Sequence, residues 1–334
     1  MSDYQIRFAE VSDVEDIMSF IKNHWKEQHI LAQNKPFFLY EYGNDKTINF
    51  AIARDVSTNE LVGLCGFIKN TKELNGSDVW GSLWKVIRTT NPMLGIQILE
   101  FVNENTKGRT FSACGIAPKT IEIYYFLGFR TGKLKQFYRL NDQPTYQIAI
   151  VNDAIIPTFQ TEKNYILKEE SSFDGLDFLY HDQQKSRFPY KDQWYLEKRY
   201  CCHPKYSYKI FTIQKEAIQS LFIAREVIQN GAKILRIVDF IGNEEDLNYI
   251  GTALQYLIDS NGYEYIDFYC EGINSAVLEH SGFKCRDEFD TNIIPNYFEP
   301  FVAENIDIHF FTNSDEKVYI FKGDGDQDRP NFIN

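Results

Sequence analysis

Apolar residues at Val14, Ile17, Met18, Ile21 and Trp25 recur at the three-to-four spacing of one helix face, and Ser12-Asp-Val-Glu15 reads as a capping box, so a helix is predicted from about residue 13. The period then shortens. INFAIARD (48–55) and LVGLCGFI (61–68), separated by the turn-like VSTNE, predict a β-hairpin, and DVWGSLWKVI (78–87) predicts a further strand. In RTTNPMLGIQILEFVNEN, Asn91 can cap a helix whose first position is Pro92 and whose buried face is Leu94, Ile98, Leu99 and Val102. TFSACGI (110–116) reads as a short strand. Pro118 opens a helix that ends with Gly128 as its left-handed cap, and KLKQFYRL and TYQIAIV are expected to close the unit as paired strands around NDQP.

The order then repeats. YSYKIFTI, SLFIAREVIQ, the Asn230-Gly231 turn and AKILRIVDFI match the hairpin and central strand, and GNEEDLNYIGTALQYLI and YEYIDFYC match the next helix and strand. The Gly-Phe pair at 128–129 returns at 282–283, an offset of 282 − 128 = 154 residues. Gly95 and Gly251 precede their Gly-Phe pairs by 33 and 31 residues. The fold expected is α/β: two tandem units, residues 1–152 and 158–334, each a mixed central sheet flanked by helices.

A length of 334 residues suits two units of this size, and 43 % apolar with 16 % aromatic residues is globular composition. The net charge of −12 is uneven: residues 1–150 hold 17 Lys/Arg against 16 Asp/Glu, leaving 18 against 31 for the rest. An acidic second half argues against nucleic acid or an anionic membrane as partner, because phosphate recognition requires clustered cations. Six cysteines without framework spacing, an N-terminus lacking an apolar signal core and the absence of 18 consecutive apolar residues point to reduced thiols and a cytoplasmic location. Cys201-Cys202-His203 lacks structural-zinc spacing, so no metal is expected there.

Chemistry concentrates where strand 78–87 meets helix 92–104. A helix start directly after a strand offers free N–H groups and a positive dipole end to an anion, and Gly95 permits close approach of backbone. The element order, Gly95-Ile-Gln-Ile-Leu99 and IAPKTIEIYYFLGF together resemble the GNAT superfamily of acyl-CoA N-acyltransferases over residues 4–150. That family's loop is usually Gln/Arg-x-x-Gly-x-Gly/Ala. Thr90-Asn-Pro-Met93-Leu-Gly95 keeps only its last glycine, with Arg88 two residues upstream of the usual cation.

The resemblance implies acetyl-CoA as co-substrate, with no metal. Val86, Ile87 and Arg88 would meet the pantetheine, and Met93, Leu94, Gly95 and Ile96 the pyrophosphate. Tyr124, four residues before Gly128, would protonate the departing thiolate, a general-acid role. The amine needs a base, for which His29, Glu27 and Asp78 are candidates beside the less favoured His24. Trp80, Trp194, Arg199 and His203 are candidate acceptor contacts, since aromatic and hydrogen-bonding groups together suit sugars or nucleotides.

The second unit resembles the first in spacing, but Glu244, Glu245 and Asp246 occupy its first helical turn and Leu278 stands at the tyrosine position. It is expected to shape the acceptor pocket without catalysis. The C-terminal GDGDQDRPN alternates Asp324, Asp326 and Asp328 as a calcium loop would, yet has Arg329 where that loop needs glycine. This ending and DVWGSLWKV resemble tandem GNAT enzymes of bacterial surface-polysaccharide pathways. The function expected is therefore N-acetylation of a small amine, an amino sugar carried on a dTDP- or UDP-type nucleotide. The alternatives are an aminoacyl or longer-acyl transferase of the peptidoglycan-bridge type and a non-catalytic acyl-CoA-binding protein. Neither the oligomeric state nor the identity of the base is legible.

Overall fold

The computed structural model describes residues 3–44, 46–154, 158–159, 165–181 and 187–331. The first half runs β1 (Tyr4–Glu10), α1 (Val14–His24), α2 (Ile30–Gln33), α3 (Lys35–Tyr42), β2 (Thr47–Asp55), β3 (Leu61–Lys69), β4 (Val79–Val86), α4 (Leu94–Thr106), β5 (Phe111–Ile116), α5 (Ile121–Phe126), β6 (Arg130–Lys133) and β7 (Lys135–Leu140). The second continues β8 (Ile166–Glu170), α6 (Phe178–His181), α7 (Gln193–Leu196), β9 (Lys209–Gln214), β10 (Ile218–Gln229), β11 (Ala232–Gly242), α8 (Gly251–Asn261), β12 (Tyr263–Glu271), α9 (Ser275–His280) and β13 (Lys284–Cys285). A short ribbon, β14 (Tyr297–Phe298) with β15 (Phe301–Val302), precedes β16 (His309–Thr312) and β17 (Ile320–Phe321).

Several expectations shift in detail. Ser12 does not cap α1; the box is Glu10 with Asp13, whose carboxylate accepts the Glu10 N–H at 2.8 Å. Asn91 caps nothing helical either, because α4 starts at Leu94, and the Asn91 side chain instead accepts the Met93 N–H at 3.0 Å. The Asn230-Gly231 turn has φ of 52° and 80°, the paired left-handed residues that a two-residue hairpin requires. Gly128 and Gly282, at φ 77° and 86°, each follow the end of an equivalent helix.

The strands form two sheets of one design, ordered β1-β2-β3-β4-β5-β16-β6 and β8-β9-β10-β11-β12-β7-β13. Position six of each comes from the other half of the chain. β16 pairs antiparallel with both β5 and β6, and β7 pairs antiparallel with both β12 and β13. KLKQFYRL is thus a strand, but not one of a closing pair: TYQIAIV forms no strand, and its Ile150 bridges Ile293. The exchange is cemented by side chains, with Phe311 of β16 stacked 5.3 Å from Phe129 and buried Arg139 of β7 donating to the carbonyls of Gly251 and Ser281. The sheets therefore do not divide where the sequence suggests a boundary, near 152.

Among the described residues no helix is long and apolar enough to cross a membrane.

Candidate active site

β4 and β5 run parallel and pair only at Val79 with Phe111 and Trp80 with Ser112. Beyond these pairs the strands diverge. On the other side of β4, Cys65 pairs with Trp84 and Phe67 with Gly81, which sets one residue of β3, Gly66, against two of β4, so β4 carries a bulge at Ser82–Leu83. The gap holds an inner cavity of about 130 Å³, lined in part by Ser82, Leu83, Trp84, Tyr124, Phe311 and Asp326. It adjoins an outer groove of about 520 Å³ along Lys85, Val86, Ile87, Arg88, Gly95 and Lys119. Trp25, Trp84, Ala117 and Thr120 line both.

The outer groove ends at α4. The first N–H groups of a helix have no intrahelical partner. Asn91 takes two of the nearby ones, from Met93 through its side chain and from Leu94 through its carbonyl at 3.3 Å, which leaves Gly95 and Ile96 for a ligand. No acidic residue stands in the first turn. Gly95 lacks a side chain for a reason the sequence did not reveal: a Cβ there would meet the Trp84 ring at 3.1 Å, and the Trp84 indole donates to the Gly95 carbonyl. Leu94 is fully buried in the core beneath, and Met93 is exposed.

At the inner end, Tyr124 is buried, its ring 4.1 Å from Phe311 and 6.1 Å from Trp84. Burial, aided by the nearby Cys65 thiol, pushes its phenol well above the ordinary value, so it keeps its proton at neutral pH. The thiols of Cys65 and Cys114 also face this cavity, and burial drives both upward, Cys65 to about 12. Both remain thiols and hence poor nucleophiles.

The opposite wall was missed in the sequence. The C-terminal segment 322–331 enters the gap, with Gly325 against Trp80 and the Gln327 side chain so close to Gly115 that a Cβ there would clash. It carries Asp326 and Arg329 into the cavity, 3.1 Å apart. Arg329 also donates to Glu41 at 2.9 Å and to the Tyr42 hydroxyl at 3.0 Å, and Tyr42 donates to Ser82 in the bulge. The other two aspartates point elsewhere: Asp324 pairs with Lys191 at 2.6 Å, and Asp328 with Arg225 at 2.7 Å. The alternating aspartates thus do not converge on one point. Their regular spacing was the signal available in the sequence, and it suggested a different chemistry.

The remaining candidates lie apart from this cavity. The Asp78 carboxylate accepts N–H groups from Arg109, Thr110 and Tyr190 and pairs with the Arg109 guanidinium, so it ties loops together at the start of β4 and is not placed as a base. His29 is buried and caps α2 by accepting the Leu31 N–H; burial and then Arg329 push it down to about 3, too weak to hold a proton near neutrality. Glu27 and His24 are exposed and line neither cavity. Trp80 is wholly buried. Arg199 grips the C-terminal segment through the carbonyls of Gly323 and Asp328, and His203 sits among Phe37, Tyr40, Tyr206 and Tyr208. Trp194 lines a separate small cavity with Lys69 and Lys198. Of these three only Arg199 bonds the segment directly, and none lines the inner cavity.

A strand pair that splays beside a helix N-terminus, with a bulge facing the gap, is a specific arrangement. The chain has the fold of the GCN5-related N-acetyltransferases. One solved structure of that group, from Anabaena variabilis, superposes with a TM-score of 0.57 at 10% identity, covering 93% of this chain and 72% of that one. A conserved Enterococcus faecalis protein described as a probable N-acyltransferase gives 0.56 at 10% identity, with the same coverages of 93% and 72%. No protein-family model matches the sequence, and no curated protein matches it.

Proposed function

We propose that the chain is an acyl-CoA-dependent N-acyltransferase that moves an acetyl group from acetyl-CoA to a small amine. The observation that carries this reading is the open gap between β4 and β5, with free helix N–H groups at one end and both Tyr124 and Asp326 lining the other. The outer groove fits the donor: Lys85, Arg88 and Lys119 line it, no carboxylate opposes a pyrophosphate at α4, and Gly95 and Ile96 offer N–H groups. Strand backbone at Val86 to Arg88 would pair with the pantetheine amides. The donor supplies an activated acyl group and a thiolate leaving group.

The residues of the inner cavity divide the remaining work. The amine must lose a proton before it attacks, and Asp326 supplies a carboxylate to accept it, held in place by Arg329. The bulge leaves one residue of β4 outside the ladder, and a backbone N–H there would stabilise negative charge developing on the carbonyl oxygen. Tyr124 holds a proton for the departing sulfur. The same dry surroundings that raise the phenol also disfavour a thiolate, which restores the driving force for transfer. With Cys65 and Cys114 kept as thiols, attack is direct, without an acyl-enzyme.

Residues 1–152 would supply the donor groove and Tyr124; the second unit would supply Phe311, Asp326 and Arg329, shaping the acceptor end. An amino sugar on a nucleotide is the acceptor class we favour, on the resemblance of DVWGSLWKV and GDGDQDRPN to enzymes of surface-polysaccharide assembly. The test is release of free thiol from acetyl-CoA with a panel of amino sugars and nucleotide amino sugars. One acceptor is expected to trigger it. Calorimetry showing no CoA binding would remove the donor site and the enzyme together, whereas binding without thiol release for any amine would leave a binding protein.

A further inference from the structure

Behind the C-terminal segment lies a cavity of about 30 Å³ bounded in part by Lys322, Arg225, Arg236, Asn296 and Tyr297. Arg329 lines this cavity as well as the inner end of the groove. Its arginines are matched by anions: Arg225 holds Asp328, Arg236 holds Asp267, and Arg329 holds Glu41 and Asp326. Lys322 has no such partner. It is 2 % exposed, forms no hydrogen bond or ion pair with any described residue, and has its ammonium 5.5 Å from the ring centres of Tyr269 and Tyr297. Burial, with Arg236 adding to it, pushes that ammonium down to about 7. Asp328 and Asp267 act on it through space but outweigh neither the burial nor Arg236, and a buried cation without a directly bonded counter-ion is disfavoured.

We propose that this cavity binds a small oxyanion, a carboxylate or phosphoryl group, on Lys322 and the outer face of Arg225. Two donors belong to its lining, the Lys322 ammonium and Nη1 of Arg225, which is left over after Nε and Nη2 have engaged Asp328; the lining carboxylates are already engaged, Asp328 by Arg225 and Glu299 by the Tyr206 hydroxyl. Asn296, also in the lining, has its Oδ1 buried without a partner while its amide nitrogen donates to Ile306, so the anion is expected to carry a hydroxyl or a protonated oxygen beside the charge. About 10–15 Å³ accommodates one water, so the space admits two oxygens of such a group.

The anion has two sources, a group carried by the acceptor or a free ion. Binding to the full chain is measured first, by thermal unfolding and calorimetry with inorganic phosphate and with acetate against chloride at equal ionic strength. Phosphate or acetate is expected to bind and raise the melting temperature, and Lys322→Met to weaken that binding at least tenfold. Asn296→Asp, which places a carboxylate opposite the lysine, is expected to abolish it while raising the melting temperature of the ligand-free protein, so the result does not hang on one variant folding. Absence of binding to the parent protein, or equal binding by both variants, overturns the proposal. Competition between phosphate and acceptor in thiol release assigns the anion to the acceptor; binding without competition assigns it to a free ion. The binding readout requires no acyl transfer, so its failure is separate from failure of the proposed activity.

Discussion

The same backbone device occurs twice in this molecule with opposite outcomes. In the first sheet β4 and β5 part after two paired positions and leave a gap that reaches from solvent to Tyr124. In the second sheet the parallel pairing of β11 with β12 ends at Ile237 with Phe268, but the chain itself fills the space beyond that pair. β17 pairs with the end of β12, and the buried Arg187 donates to the carbonyls of Phe240 and Gly242. The helix starts differ in the same sense: α4 has no acid in its first turn, whereas Glu244, Glu245 and Asp246 precede α8, and Phe159 packs where Gly251 has no side chain. One fold can thus keep its core while its central gap is either left open or filled by its own chain.

The largest effect should come from separating the halves. Residues 1–152 produced alone lack β16 between β5 and β6 and are expected to show no cooperative unfolding transition by circular dichroism; a cooperative transition would show that the exchange is dispensable. Within the full chain, Phe311→Ala should cost about 3–5 kcal/mol in denaturant titration, as for other buried aromatics. Next in size, Asp326→Asn should lower turnover by roughly 10²-fold or more and Tyr124→Phe by at least about tenfold, each leaving CoA affinity by calorimetry unchanged. An unchanged rate would remove the residue from the mechanism. Leu278→Tyr should confer nothing on the filled gap.

Smaller effects come from pH and charge. His29 and His203 are both buried neutral, pushed by burial and then by neighbouring arginines down to about 3, against an unfolded value near 6.5. The folded state therefore binds fewer protons, and their contribution is full above about pH 6.5 and lost as pH falls from there toward about 3. At pH 5 each should account for about 2 kcal/mol of lost stability, so urea midpoints at pH 7 and pH 5 should converge in His29→Gln and His203→Gln. Last, Ile96→Glu imports the character of the closed unit into the open one and should weaken CoA binding by about 1 kcal/mol. Neutralising Glu244, Glu245 and Asp246 together should create no CoA binding, because β17 still occupies that gap.

Much of the fold was legible because its signals are local: the alternation of 48–68, the Asn230-Gly231 turn, and the two Gly-Phe endings. The sixth strand of each sheet was not. Lys135–Leu140 reads correctly as a strand, but the sheet it joins is decided by Tyr265 to Cys270, far along the chain, and no periodicity encodes a partner. KPFFLYEY (35–42) also escaped, since Phe37, Phe38, Glu41 and Tyr42 are all buried and α3 shows no polar stripe. At the site, the resemblance singled out Tyr124 and the residues of the outer groove, whereas Asp326 lies in a polar run whose neighbours, Asp324 and Asp328, have identical local character and different partners. Only the packed chain distinguishes them.

The exchanged strands also set a timetable for the growing chain. Once Leu140 has left the ribosome every strand of the first sheet has been made except one, and that one ends with Thr312, 312 − 140 = 172 residues later. At about 5–20 residues per second, the incomplete sheet waits on the order of ten to thirty seconds with the edges of β5 and β6 uncovered. The second sheet has no such delay, because β7 is synthesised before any of its neighbours. The seven-strand path of the second sheet, complete at Cys285, is therefore the first that can close, although β17, which fills its gap, follows β16; the proposed active site is finished only when Asp326 and Arg329 arrive.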